Sequence, residues 1–261
     1  MLFLTHCAYM IIIMETEHDN LDGSEIGLPL YEQIKQRILT ALAQGYWRSG
    51  EVIPSENDLA EFYQVSQGTV RKAIDDLVAQ HLLIRRHGSG TFVATHLEEQ
   101  SKYRFLHLAN AQGKFEDSQN RILLCSHQKA PAIIYQSFDL GPNDIFVHIR
   151  RLMSFKNRPV VLEEIWLPLP LFDSLNLELL ASWKGTMYGL FENHFATHMV
   201  RAHEKITAEL PNEITIEYLE ISPSTPILNI FRIAYTYNNR PVEVRQAQYL
   251  TMDYHYQNEL N

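Results

Sequence analysis

The run Ser66-Gln67-Gly68-Thr69-Val70-Arg71-Lys72 puts an amide, two hydroxyls, a guanidinium and an ammonium within two helical turns. These groups can recognise duplex DNA from the major groove, where each base pair presents its own donor and acceptor pattern. Gln67 can read adenine through its amide, Thr69 can meet a thymine methyl or a phosphate, and Arg71 can fork onto guanine or clamp phosphate. Gly68 inside a helix costs about 1 kcal/mol against alanine, and close approach of its backbone to DNA is a reason to keep it. A second basic cluster, Arg85-Arg86-His87, precedes Gly88-Ser89-Gly90. It has the make-up of a ribbon tip that lies along a minor groove or the phosphate backbone. Either cluster alone reads as a solvated surface. Their order, one directly after the other, is what is informative.

The flanking elements must present these groups. Leu30, Ile34, Ile38, Leu39 and Leu42 recur near helical spacing over Leu30–Gln44, and Gly45 stops that helix. Ser55 caps a second helix bearing Leu59, Phe62 and Tyr63, with Glu56 and Asp58 in its first turn, where the helix dipole favours anions. Gln64 and Val65 make the turn, and Ser66 caps the third helix. There Val70, Ala73, Ile74, Leu77 and Val78 form a buried stripe, opposite Gln67, Arg71, Lys72, Asp75 and Asp76. Strands at 82–86 and 91–94 flank the glycine turn. The whole predicts a winged helix-turn-helix over residues 28–95.

Residues 96–112 lack a sustained period and read as a linker. Beyond them strands are predicted near 121–127, 145–154, 158–168, 198–209, 226–237 and 241–252, and helices near 186–195 and 211–220. Two segments repeat a design: Arg151–Leu167 contains Asn157-Arg158-Pro159-Val160, and Arg232–Leu250 contains Asn239-Arg240-Pro241-Val242. Both read as hairpins of one antiparallel sheet. Because strand side chains alternate, Glu243, Arg245, Ala247 and Tyr249 share a face. Glu163 stands in an otherwise apolar strand and needs a partner or a polar cavity. His194 and His198 are four apart, but no carboxylate or cysteine completes an evident zinc set. The pair is read as coincidence, and neither metal nor cofactor is expected.

The bulk properties exclude several classes. The net charge is −9 over 261 residues, yet residues 28–95 hold seven basic and seven acidic side chains. A DNA-binding unit with that balance makes few phosphate contacts and has a moderate salt slope. Two cysteines, Cys7 and Cys125, allow no disulfide framework, and a reducing cytoplasm is expected. The apolar start, Met1 to Met14, is too short for a membrane helix and lacks the marks of a signal peptide. Residues 1–27 read as a disordered tail or a start placed too early, with Met10 or Met14 as the true start. No membrane partner is expected.

Residues 28–94 resemble the DNA-binding domain of the GntR family of bacterial transcription regulators. The resemblance rests on Leu30-Tyr31-Glu32-Gln33-Ile34, Gly50, Pro54-Ser55-Glu56, Leu59-Ala60, Val65-Ser66, Thr69-Val70-Arg71, Ala73, Leu77 and Gly88-Ser89-Gly90-Thr91-Phe92-Val93. With the basic helix face and wing, it implies DNA contacts at Ser55, Asn57, Ser66, Gln67, Gly68, Thr69, Arg71, Lys72, Arg85, Arg86, His87 and Gly88, with Glu56 a cap rather than a contact. Asn57 and Gln67 stand where the family commonly has arginine, which implies a different operator. Residues from about 105 to 253 resemble the HutC-type effector domain, the UTRA domain, similar in fold to chorismate lyase. Here the matching residues are Arg151, Arg158-Pro159-Val160, Glu163, Trp166-Leu167-Pro168, Gly185-Thr186-Met187-Tyr188, Ser222–Leu228, Pro241-Val242-Glu243, Tyr249 and Asp253-Tyr254. This resemblance implies effector contacts at Arg151, Glu163, Thr186, Tyr188, Glu243 and Tyr249, to which Arg245, on the same strand face as Glu243 and Tyr249, is added. Met153 occupies a place where the family often has a second arginine, which disfavours a phosphorylated sugar; Arg150 or Arg245 is the candidate substitute.

The expectation is therefore an α+β chain: an N-terminal winged helix-turn-helix, then an antiparallel-sheet effector domain at 113–255. Its partners would be a double-stranded DNA operator, a small-molecule effector and a second copy of itself in a homodimer. It would act as a repressor released by a metabolite. The rival readings are a dimeric architectural DNA binder without effector and, last, a lyase-like enzyme. The sequence shows no nucleophile elbow, phosphate loop or metal motif for the last.

Overall fold

The computed structural model describes residues 27–96 and 107–258. The tail expected over 1–27, including the alternative starts, falls almost wholly outside them. The chain divides into two compact units, Met1–Thr95 and His96–Asn261.

In the first unit α1 (Leu30–Ala43), α2 (Glu56–Phe62) and α3 (Gln67–Ala79) precede a two-stranded wing, β1 (Leu83–Arg86) and β2 (Gly90–Val93). Ile34, Ile38, Val70, Ala73, Ile74 and Leu77 are buried together with Leu59, Leu83 and Val93. The helical stripes read from spacing thus largely form the core; Leu39 and Val78 are half-buried, and Leu30 is 49% exposed because it opens α1 and has no preceding turn to pack beneath. The α2–α3 turn places Gln64 in the left-handed region at φ 54°. Ser66 then ends the turn: its Oγ accepts from the Thr69 amide at 3.2 Å and contacts Thr69 Oγ1 at 2.8 Å. The cap on α2 is reciprocal. Ser55 Oγ accepts from the Asp58 amide and the Ser55 amide donates to Asp58 Oδ2, both at 3.2 Å. Asp58, not Glu56, therefore closes the capping box, and the expected capping role of Glu56 is corrected.

The second unit is built on β4 (Gln119–Lys129), β5 (Ile145–Phe155), β6 (Arg158–Pro168), β7 (Arg201–Glu209), β8 (Ile227–Tyr235) and β9 (Pro241–Tyr249). They form one antiparallel sheet in the order β4-β5-β6-β9-β8-β7. The two Asn-Arg-Pro-Val hairpins are β5–β6 and β8–β9, neighbours through β6 and β9. Their turns use the same device. Lys156 and Asn157 in one, and Asn238 and Asn239 in the other, all have positive φ, the twist that matches right-handed strands. The asparagines are there for that backbone shape.

Among the described residues, five strands and α-helices were not foreseen. β3 (Leu108–Asn110) pairs with β10 (Tyr254–Tyr256) in a small second sheet, and α4 (Ala132–Gln136), α5 (Leu169–Phe172) and α6 (Leu177–Ser182) are short. Four to six residues carry too little periodicity to announce a helix. The stretch 96–112, read as linker, is accordingly not all connector. His96 is 2% exposed and Leu108 and Ala109 are buried, since β3 gains its ladder only from a strand about 145 residues later. Helix α7 (Met187–Phe195) covers one sheet face over Val147, Ile149, Ile165 and Leu167, and α8 (Glu213–Leu219) contributes Leu219 to a neighbouring core. Among the described residues, no helix is long and apolar enough to cross a membrane.

Candidate nucleic-acid interface and effector pocket

In the first unit, the starts of α2 and α3 and the wing line a shallow cleft whose walls include Ser55, Asn57, Gln67, Ser89 and Thr91. Of the twelve residues expected to meet DNA, all are exposed except half-buried Thr69. A Cβ on Gly68 would meet only Ser66 Oγ, at 3.8 Å. Packing within the chain does not require glycine there.

The cations are held rather than loose. Glu56 takes one arginine on each oxygen: Arg71 Nε donates to Oε2 and Arg85 Nη2 to Oε1, both at 2.8 Å. Arg85 also pairs with Asp75 at 2.7 Å. Lys72 Nζ sits 3.5 Å from the Tyr31 ring centroid, and the Arg86 guanidinium lies 4.6 Å from that of Phe92. Exposed pairs of this kind are worth at most about 1 kcal/mol, so a phosphate or a guanine edge can take over the guanidinium at small cost. Until then Glu56 fixes where the two arginines point. Sequence reasoning missed this bridge, since Glu56 and Arg85 are 29 positions apart. The excess of charge that Glu56 leaves unexplained once Asp58 closes the cap was the available signal.

In the second unit, a row of charged side chains crosses the sheet. Strand pairing sets Arg151 opposite Glu163, Arg245 opposite Arg232, and Arg232 opposite Glu204. Glu163 accepts from Arg151 Nε at 2.6 Å and from Arg245 Nη1 at 2.9 Å. Arg245 forks onto Glu243 through Nε at 3.0 Å and Nη2 at 2.8 Å. Tyr188, reaching in from α7, donates to Glu243 at 2.9 Å. Arg232 donates to Glu204 Oε1 at 2.6 Å, and Tyr256 donates to its other oxygen at 2.7 Å. Glu163, Glu243, Arg232 and Arg245 are all buried.

The structure thus brings five of the seven expected effector residues into one hydrogen-bonded network: Arg151, Glu163, Tyr188, Glu243 and Arg245. Tyr249 is buried within electrostatic reach of Glu163, Arg232 and Arg245. Thr186 is not in the network. It caps α7, accepting from the Gly189 amide at 3.0 Å and donating to the His96 carbonyl at 3.3 Å. Just before it, Gly185 leaves room for Trp183, whose ring a Cβ would meet at 2.8 Å. Trp183 Nε1 donates to the Thr186 carbonyl at 2.8 Å, and this contact turns the chain into α7. Arg150, one of two candidates to replace a second phosphate-binding arginine, points to the opposite face. There it pairs with Glu164 at 2.6 Å, beside His148, which stacks on Trp166 at 4.0 Å. Strand alternation separates it from Arg151. Arg232 and Glu204 were missed, although Arg232 within Ile230-Phe231-Arg232-Ile233 is as anomalous as Glu163 in its own strand.

Burial alone would raise the pKa of Glu163; Arg151 and Arg245 outweigh it and hold the carboxyl at about 2. Burial, and then Glu243, push the Tyr188 phenol up to about 12, so it stays a donor. The folded-state pKa of Glu163 lies below the unfolded value of about 4.3. Its contribution to stability is therefore complete above that value and is lost as pH falls toward 2. Urea titrations of the wild type and Glu163→Gln between pH 6 and 3 are expected to converge as the pH drops; parallel curves refute a depressed Glu163.

Residues 30–93 match the description "Bacterial regulatory proteins, gntR family", and residues 116–255 match the UTRA domain. The chain is 31% identical over 223 residues to a probable fructoselysine utilization operon transcriptional repressor of Shigella flexneri, covering 83% of this chain and 88% of that one. It is 31% identical over 230 residues to the mannosyl-D-glycerate transport/metabolism system repressor of Escherichia coli K12, with 87% and 93% covered. Among solved structures it resembles the ligand-binding domain of a protein described as a GntR-family transcriptional regulator from Bordetella bronchiseptica. That match has 42% identity and a TM-score of 0.58, over 61% of this chain and 99% of the other.

Proposed function

Because the chain belongs to the gntR family of bacterial regulatory proteins and carries a UTRA domain, we propose that it is a homodimeric repressor of the HutC type, released from its operator by a small metabolite. Two copies of α3 would enter successive major grooves about 34 Å apart on a near-palindrome. Gln67, Gly68, Thr69 and Arg71 would face base edges, while Ser55, Asn57, Ser66, Lys72 and the wing residues Arg85 to Gly88 would meet phosphates and the adjoining groove. The observation that supports this reading is the exposed, Glu56-oriented pair Arg71 and Arg85, one on the third helix and one on the wing, the two elements that would reach a duplex.

The effector would bind over the Arg151–Glu163–Arg245–Glu243 row, with Tyr188, Tyr249 and Thr186 beside it. Arginines and carboxylates interleaved with phenols suit a polyhydroxylated metabolite carrying a carboxylate, whose acid would compete with Glu243 for the Arg245 fork. Lacking a second arginine at Met153, the site is less suited to a sugar phosphate. The two relatives named for fructoselysine and mannosylglycerate are in keeping with that chemistry. Effector binding would favour a domain arrangement whose helix spacing no longer fits the operator.

The test is to footprint the purified protein on DNA flanking its own gene and then add carboxylated sugar conjugates. Protection of a near-palindrome, lost with one ligand class, is the expected outcome. Glu243→Gln should keep the footprint and lose the response. A Glu243→Gln protein still released by the same ligand means the pocket lies elsewhere. Operator protection that no metabolite alters favours the architectural reading.

A further inference from the structure

The geometry points to a divalent-metal site of the zinc type formed by His96, Glu192 and His198. One donor atom from each of the three lies within 4.8 Å of the other two. They come from three separate pieces of chain: the first residue of the effector unit, the last turns of α7, and the segment after it. The fold makes this meeting locally. Helix α7 ends on Ala196 in the left-handed conformation, φ 47°, and the Thr197 amide bonds back to the Phe191 carbonyl at 3.0 Å. The reversal returns His198 to its own helix, with Nδ1 3.3 Å from Glu192 Oε2. His96 joins from the far side, its ring centroid 4.7 Å from that of His198.

Each donor is also oriented by a second contact. His96 Nε2 lies 2.8 Å from the Met199 carbonyl. A carbonyl only accepts, so Nε2 carries the proton, and in the neutral ring the lone pair is on Nδ1. Fixing one ring nitrogen on a backbone carbonyl is how metal-binding imidazoles are commonly held. Glu192 Oε2 accepts from the His96 amide at 2.8 Å, and the His198 ring stacks on Tyr237 at 5.7 Å, nearly parallel. His96 and His198 are 2% and 4% exposed, and the Glu192 side chain is 6% exposed. Tetrahedral zinc with bonds near 2.0–2.1 Å sets its donors about 3.3 Å apart. The Glu192–His198 pair already has that separation, and the third donor lies within 4.8 Å of both. Two imidazoles and a carboxylate favour zinc and its neighbours over magnesium or calcium, which prefer oxygen alone. The remaining position is left to water.

The nearby His194 belongs elsewhere: it packs edge-on against Trp183 at 5.5 Å. The four-residue spacing of His194 and His198 was therefore the wrong pair to weigh, because the left-handed Ala196 breaks the helix between them. A metal here would staple His96 to the helix that carries Thr186 and Tyr188.

The test is calorimetric titration of the EDTA-treated full chain with zinc chloride, together with thermal unfolding. The expected result is one zinc per chain, an upward shift of the effector unit's melting temperature, and at least a tenfold loss of affinity in Glu192→Gln and in His198→Ala. His194→Ala should bind as the wild type does. Near-UV circular dichroism checks that each variant folds. If a variant does not, reversal of the wild-type melting shift by EDTA and its return with zinc carry the test. Absence of stoichiometric zinc uptake overturns the site, as does equal uptake by folded Glu192→Gln and His198→Ala.

Discussion

Arg245→Met is expected to lower the stability of the effector unit by about 3–5 kcal/mol, the usual cost of removing one partner from a buried ion pair. For a domain of this size that corresponds to roughly 6–20 °C in melting temperature. The reason is what remains behind. Glu243 is fully buried and would lose the bidentate fork of Arg245, keeping only the single donor of Tyr188. Glu163 would keep Arg151 but lose the second cation that holds its pKa at about 2. The double variant Arg245→Met with Glu243→Leu removes the stranded carboxylate and should recover much of the loss, because an apolar pair of similar volume can replace a buried ion pair at little cost. Thermal unfolding of the three proteins checks this. A single variant that melts with the wild type would mean that solvent reaches the row, and a double variant no better than the single would mean that packing, not charge, sets the cost.

That row bears on how an effector could act. Its charges are satisfied by one another across five strands, so a ligand must replace hydrogen bonds already made. Any gain comes only from contacts the side chains cannot supply among themselves, such as hydroxyl donors to both oxygens of a carboxylate. A modest difference in affinity between two domain arrangements is enough, since 1–3 kcal/mol of coupling changes operator affinity by about 5–150-fold. Tyr188 is the natural conduit. It is the one member of the row that belongs to a helix, so a shift at Glu243 is felt at once by α7 and, through the Thr186 cap, by the His96 carbonyl.

Much of this was legible in the sequence. Two periodicities carried it: the 3.6-residue stripe over Val70–Leu77, and the alternation that put Glu243, Arg245 and Tyr249 on one face. The Pro54–Glu56 and Gly88–Val93 motifs then fixed their order as a winged helix-turn-helix. What was not legible depends on contacts distant in sequence. β3 forms only against β10, Glu56 joins Arg71 to Arg85 only once the wing folds beside α3, and Arg232 meets Arg245 only through strand register. Short helices such as α5 follow from proline geometry and local packing rather than from any repeated pattern, as Pro168 and Pro170 at its start suggest.

Arg71→Ala should weaken operator binding by about 1–3 kcal/mol, which is 5- to 150-fold, while leaving the unit folded. Its side chain is 54% exposed and makes one ion pair, so its removal costs the fold little. The structure adds a sharper expectation for Glu56. If the carboxylate serves the fold, Glu56→Gln should change stability and leave DNA binding alone. If it aims Arg71 and Arg85, the same substitution should leave stability alone and reduce discrimination between the operator and random duplex, because Arg71 is then freed and Arg85 is left with Asp75 alone, and a less constrained guanidinium binds phosphate without register. Removing a negative charge beside the duplex should also strengthen nonspecific binding and steepen the salt dependence. Titrations of operator and competitor duplexes at two salt concentrations separate the cases. Loss of specificity with gain of nonspecific affinity is the expected result, and a change in stability with binding to both duplexes unaltered would assign Glu56 to the fold instead.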